Sequence, residues 1–209
     1  MKRVLFFSVG FTIALYIVRV FFSGSFLFLF IPWNLFLAWL PLFFSQLLQQ
    51  KNSKIGKFIW FCLCLLFLPN APYVITDLIH LEQRLPVPFY FDLILLFSAA
   101  WNGLLLGLLS IKNIEGELHL LFAAWKVKLM LFFIFFLSGF GIYLGRYDRY
   151  NSWHILTQPV NLIRAISHYI FQPWLHLHTW AVTFLFAVVF YLMYETIRHF
   201  HTISKPSSV

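Results

Sequence analysis

The sequence predicts an all-α fold: a polytopic bundle of about six transmembrane helices, with short interfacial helices on the extracytoplasmic side. Three observations lead there. Of 209 residues, 61% are hydrophobic and only 11% charged, a surface that no soluble fold could keep wet. The apolar residues fall in runs close to the roughly 20 that carry a helix, at about 1.5 Å per residue, across a hydrocarbon core of about 30 Å. Within each helix the backbone satisfies its own polar groups, as a bilayer demands. The basic residues, which give a formal charge of +8, stand singly or in small clusters beside those runs. They form no basic stripe of the kind that binds nucleic acid, and read instead as orientation signals.

Taken in order, the helices are expected at about 4–22, 26–48, 55–68, 91–111, 118–143 and 178–197, within a single integral membrane domain over 1–209. The first follows Lys2 and Arg3. It resembles the start of a signal peptide, but Arg19 interrupts the approach to the poor cleavage site Ser23-Gly24-Ser25, so an uncleaved helix is expected. Near the outer end of that helix, Arg19 is expected to snorkel to the headgroups. The third helix is short and is expected to stop at Pro69, before a full crossing. Its Cys62 and Cys64 point to different sides of a helix, so they read as packing residues. The fourth carries Ala99, Gly103 and Gly107 at four-residue spacing, and the fifth Gly141 and Gly145, small residues that let helices approach closely. Asn102, midway along the fourth, reads as an interhelical clamp or a polar lining residue.

Lys2, Arg3, Lys51, Lys54 and Lys57 mark the cytoplasmic side. Alternating crossings then put both termini there, with Lys112, Lys126, Lys128, Arg198 and Lys205, in a multi-pass cell-membrane protein. Arg84, Arg146, Arg149 and Arg164 fall outside. Two long outer segments result, 69–90 and 145–177. In the second, Pro159 can open a helix lying in the interface, with Leu162, Ile163, Ile166 and Ile170 on one face. Trp33, Trp153, Trp174 and Trp180 fall near membrane boundaries, as an aromatic belt does. His176 and His178, two apart, are poorly spaced for joint ligation and read as interfacial residues.

The first outer segment holds the most informative run, Pro69 to Arg84. On an α-helix opened by Pro72, Tyr73, Asp77, His80 and Arg84 would fall within about 60° of one another. A carboxylate and an imidazole three residues apart suit a general-base pair or half of a metal site, so Asp77 and His80 are the candidate catalytic residues, and the candidate ligands of any metal. The alternative is a polar helix face that simply meets water, with Asp77 paired to His80 or Arg84. In the second segment Arg146 and Arg149, on a continuing helix, would present two guanidinium forks at headgroup depth, suited to phosphate or carboxylate. Plain juxtamembrane anchoring is the other reading.

The runs FLPNAPYVITDLIHL and GIYLGRYDRYNSW resemble the two signature stretches of the domain-of-unknown-function 1361 family of bacterial membrane proteins. The resemblance covers Pro69, Asn70, Pro72, Tyr73, Asp77 and His80 in the first stretch, and Gly145, Arg146, Arg149, Asn151, Ser152 and Trp153 in the second. Asp92 also fits the pattern. Where the family usually has an acidic residue after the Trp, this chain has His154. The resemblance implies a membrane location and no reaction.

Three functions follow as expectations. The first is an outer-leaflet enzyme or binder acting on an anionic lipid or lipid-linked substrate. In it Asp77 and His80 do the chemistry, and Asn70, Tyr73, Arg84, Arg146, Arg149, Asn151 and Trp153 are the candidate substrate contacts. The second is a non-catalytic scaffold or assembly factor. The third, a transporter, has little beyond Pro41 and Asn102 to recommend it. The bilayer is the expected partner, with an anionic headgroup and no nucleic acid. No Gly-Lys-Ser phosphate loop, Gly-x-Ser-x-Gly elbow, paired-histidine zinc helix or dinucleotide fingerprint is present, and no cofactor is indicated.

Overall fold

The structure, a computed structural model, describes residues 2–50 and 53–203. Lys51 and Lys205, two of the orientation signals, lie outside the described residues. Helices follow one another as α1 (Lys2–Ser23), α2 (Phe30–Gln50), α3 (Lys54–Phe67), α4 (Asn70–Tyr73), a 3-10 segment (Val74–His80), α5 (Phe89–His119), α6 (Ala124–Arg146), α7 (His154–Thr157), α8 (Pro159–Phe171), a 3-10 turn (Pro173–Leu175) and α9 (Leu177–Ile203). No strand occurs among the described residues. Six runs are long and apolar enough to cross a membrane: Arg3–Ser23, Phe30–Gln50, Lys54–His80, Phe89–His119, Ala124–Arg146 and Leu177–Phe200. The protein is thus a multi-pass, all-helical membrane protein. Large apolar side chains such as Phe6, Phe7, Phe21, Phe97 and Leu185 point outward, as lipid-facing residues should.

Several boundaries differ from the expectation, the second helix opening at Phe30 instead of near 26 among them. The third run does not stop at Pro69. That residue keeps right-handed helical angles (φ −58, ψ −27), the Tyr73 amide donates to its carbonyl, and helical turns continue to His80. A proline placed where a new first turn begins gives up an amide hydrogen that would have had no helical partner anyway. The fourth helix, expected to end near 111, runs on to His119, and the fifth opens at Ala124.

The chain divides into two compact units, the first running to Glu117 and the second starting at Leu118. In the first, α1 turns into the connection before α2 through Gly24, whose positive φ of 63 is a left-handed conformation that glycine adopts without steric cost. The core is built from Phe28, Ile31, Leu35, Ala71, Leu95 and Ala99, among others. Gly103 sits where α5 meets α4 and the 3-10 segment: a Cβ there would lie 2.7 Å from the Ala71 carbonyl oxygen and 2.8 Å from the Val74 side chain. Of the two cysteines, Cys64 is buried and donates from Sγ to the Pro41 carbonyl at 3.2 Å, whereas Cys62 is exposed.

In the second unit α6 and α9 pair directly. A close approach falls at Gly139, where a Cβ would collide with the Thr183 carbonyl oxygen, so Gly139 joins Gly141 and Gly145 as a small residue of α6. Trp180 stacks between Phe136 and Phe140, with ring centres 6.0 and 5.6 Å away. It belongs to the helix seam more than to an aromatic belt. Trp33 and Trp174 are exposed, as a belt requires.

Gly139→Ala is expected to force the α6–α9 backbones apart and to cost about 1–3 kcal/mol, as overpacking typically does. Gly103→Ala should do the same in the first unit. Thermal unfolding in detergent, followed by tryptophan fluorescence, would show both as lowered midpoints, and an unchanged midpoint in Gly139→Ala would refute the close approach.

Candidate functional site

In the first unit, Asp77 and His80 lie on the 3-10 segment, not on the α-helix expected from the 3.6-residue period. At three residues per turn, positions i and i+3 eclipse, so Asp77 and His80 project on one side, one above the other. The facing helix offers a matching pair four residues apart. Asn34 donates from Nδ2 to Asp77 Oδ2 at 2.7 Å, and the Phe30 ring lies 5.1 Å from the His80 ring. Asp77 is 3% exposed, which overturns the expectation of a polar face meeting water. Arg84 leaves the helical face altogether, because Leu81 turns extended (φ −73, ψ 109). It folds back to donate from Nη1 to the His80 carbonyl at 2.8 Å and from Nη2 to Glu82 at 2.8 Å. Asn70 donates to the Phe67 carbonyl at 2.9 Å, and Tyr73 is half-buried beside it.

Sequence reasoning missed the strongest interaction here. Arg19 does not snorkel. It is 2% exposed and forks onto Asp92, itself 1% exposed, with Nε–Oδ1 at 2.7 Å and Nη2–Oδ2 at 3.1 Å. Its guanidinium lies 4.3 Å from the centre of the Phe28 ring, and that of Arg84 lies 5.7 Å from the same ring, both within cation–π range. Two guanidinium groups therefore stand among three carboxylates, Asp77, Glu82 and Asp92. The local balance does not favour an anion.

The second unit carries the opposite balance. Between Gly145 and Leu177 stand Arg146, Arg149 and Arg164 against the single acid Asp148. The helix expected to continue through both signature arginines ends at Arg146. Arg149 takes a left-handed φ of 59, and the Tyr150 amide turns back onto the Leu144 carbonyl at 2.9 Å. The two guanidinium groups are thus not stacked on one helix face. Arg149 and Asn151 are exposed, while Arg146 and Trp153 are half-buried. His154, the departure from the family pattern, accepts the Asn151 amide on Nδ1 at 3.1 Å.

A helix forms where Pro159 is expected to open one, as α8, with Val160, Ile163 and Ile170 exposed. It is tied down by Tyr169, which donates to Asp148 at 2.8 Å, and by a pair that spacing did not reveal, His168 Nδ1 to His176 Nε2 at 2.7 Å. His176 therefore has a partner eight residues away instead of two. Burial, and then the bond to Asp148, push the Tyr169 phenol above its ordinary value. The bond's stabilisation is full below the unfolded value of about 10 and is lost as pH rises through the higher folded one. Among the described residues, no three His, Cys, Asp or Glu side chains gather to hold a metal.

Residues 33–193 match the family described as proteins of unknown function, DUF1361. The chain belongs to that family. No curated protein and no solved structure matches the chain. The signature stretches that carry the resemblance map to both units. The first supplies the buried Asp77 and His80 turn, and the second supplies the end of α6 and the turn through Arg149.

Arg19→Met is expected to cost about 3–5 kcal/mol, because it strands a buried carboxylate, while adding Asp92→Leu should restore most of the loss. Unfolding in detergent micelles would measure both. A double variant no more stable than the single one would mean that the pair is not the reason these residues are there.

Proposed function

We propose that the protein acts at the outer leaflet on an anionic lipid or lipid-linked substrate, as an enzyme or a binder, with Asp77 and His80 handling a proton. The observation that carries this reading is Asp77 itself: a carboxylate 3% exposed, inside an apolar run long enough to cross a membrane. An ionisable group so placed is costly, and marks a site more often than a fold requirement. Eclipsed on one 3-10 face, the carboxylate and imidazole have the arrangement in which one orients or charges the other for general-base work. The Asn34 amide fixes the carboxylate from α2. Taken by itself, the second unit exposes Arg149 and Arg164, guanidinium groups of the kind that suit an anionic headgroup. Both termini are assigned to the cytoplasm on the charge bias of the loops.

A scaffold or assembly factor is the second reading, favoured by one observation. Many of the polar side chains within the spans join helices of the same unit: Asn102 to Thr12 at 2.9 Å, Asn113 to Ser45 at 2.9 Å and Lys57 to Glu117 at 2.6 Å.

Asp77→Asn separates the two readings, since it removes the charge with little change in volume. Lipid extracts of cells lacking the protein, complemented with wild type or variant, should differ in an anionic species that wild type restores and Asp77→Asn does not, at equal protein abundance. Full restoration by the variant would sink the proposal, and a parallel fall in abundance would support the scaffold. Orientation is checked with a membrane-impermeant thiol reagent on intact cells, using single cysteines at Glu82 and Asn151 in a Cys62→Ala/Cys64→Ala background. Both are expected to label.

A further inference from the structure

Where α6 begins and α9 ends, the second unit carries a groove of about 500 Å³. Its α6 wall is Leu131, Phe132, Phe135 and Phe136; its α9 wall is Phe184, Val188 and Tyr191. On both helices these positions recur at three- and four-residue steps, so each helix offers one continuous stripe. Phe132, Phe184 and Tyr191 are exposed, which leaves the groove open along its length to whatever surrounds the helices. For two spanning helices that is lipid.

The charges sit at one end only. Lys128 continues the α6 stripe, and Glu195 and Arg198 continue that of α9. Arg198 bonds Glu195 at 3.0 Å, and two cations against one carboxylate leave an excess of positive charge at the mouth. Lys128 stands in the opening turns of α6 and Arg198 close to the end of the last span, at the depth where headgroups begin. From Lys128 to Phe136 the apolar wall runs about 12 Å, at roughly 1.5 Å per residue.

We infer that this groove holds a single anionic phospholipid of the bilayer, an acyl chain along the aromatic walls and its phosphate at Lys128 and Arg198. A second copy of the chain fits less well. The volume is of ligand size, whereas a docked helix is about 10–12 Å across. The net positive mouth distinguishes an anionic from a zwitterionic headgroup.

The test uses the full chain, stripped of lipid in mild detergent and titrated with dioleoyl phosphatidylglycerol or dioleoyl phosphatidylcholine, with bound lipid counted by native mass spectrometry. Wild type should retain one phosphatidylglycerol with at least about a fivefold preference over phosphatidylcholine, the discrimination expected of one basic residue near an anionic group. Lys128→Gln, an exposed change outside the helix seam, should remove most of that preference. Val188→Trp, which fills the groove, should abolish retention, with its unfolding midpoint measured alongside. Equal retention of the two lipids by wild type, or an undiminished preference in Lys128→Gln, would overturn the assignment. So would retention undisturbed in a folded Val188→Trp.

Discussion

A helix in hydrocarbon gains little by exchanging lipid contacts for equally apolar protein contacts, and α1 shows what holds a helix in place under that constraint. Among its described side chains the buried ones are Thr12, Tyr16 and Arg19, spaced four and three apart on one stripe, while Phe6, Phe7, Phe11 and Val18 face outward. The stripe meets α5 through polar contacts: Thr12 with Ser98 at 2.5 Å, Asn102 with Thr12 and with the Ser8 carbonyl, and the fork of Arg19 on Asp92. In a medium without water these contacts are what fixes the helix. Much else in the first unit depends on them. The Arg19 guanidinium seats Phe28, Phe28 leads into α2, and α2 presents Phe30 and Asn34 to His80 and Asp77.

The second unit solves the same problem differently. Its two spanning helices come together through contact at van der Waals distance, with Gly139 at a close approach and the Trp180 ring between two phenylalanines. Dispersion between closely fitted surfaces is an alternative to polar clamping in lipid. The aromatic side chains that fill the seam also leave the groove beside it. Polar contacts gather instead at the end of the unit, where Asp148, Tyr169, His168 and His176 tie α8 to the ends of the spans.

The helical class, the six spans, the helix opened by Pro159 and the clamping role of Asn102 were legible in the sequence, because hydropathy runs and turn residues act locally. Asp77 and His80 were legible as a pair, but through the wrong period. The segment Val74–His80 is 3-10 instead, which keeps residues three apart together, and the extended Leu81 that ends it separates Arg84 from them. Arg19 and Asp92 each stand alone in an apolar run, a signal that they need partners. That they need each other follows only once α1 and α5 are adjacent. The His168–His176 contact and the closeness at Gly139 were hidden for the same reason: each depends on a neighbour far along the chain or on a backbone distance that no residue type announces.

The length of α5 has a consequence of its own. At 31 residues and about 1.5 Å each it outruns a hydrocarbon core of roughly 30 Å by about ten residues, even allowing for a modest tilt. Its final turns therefore stand in the headgroup layer or beyond, and they carry Glu117, the partner of Lys57. The two ion pairs of α5 consequently live in different media. The one at its first turn is sealed from electrolyte, whereas the one at its last turn, with Lys57 30% exposed, is open to counter-ions and weakens as ionic strength rises. Salt would loosen the grip of α3 on α5 at one end of the helix while leaving the other end untouched.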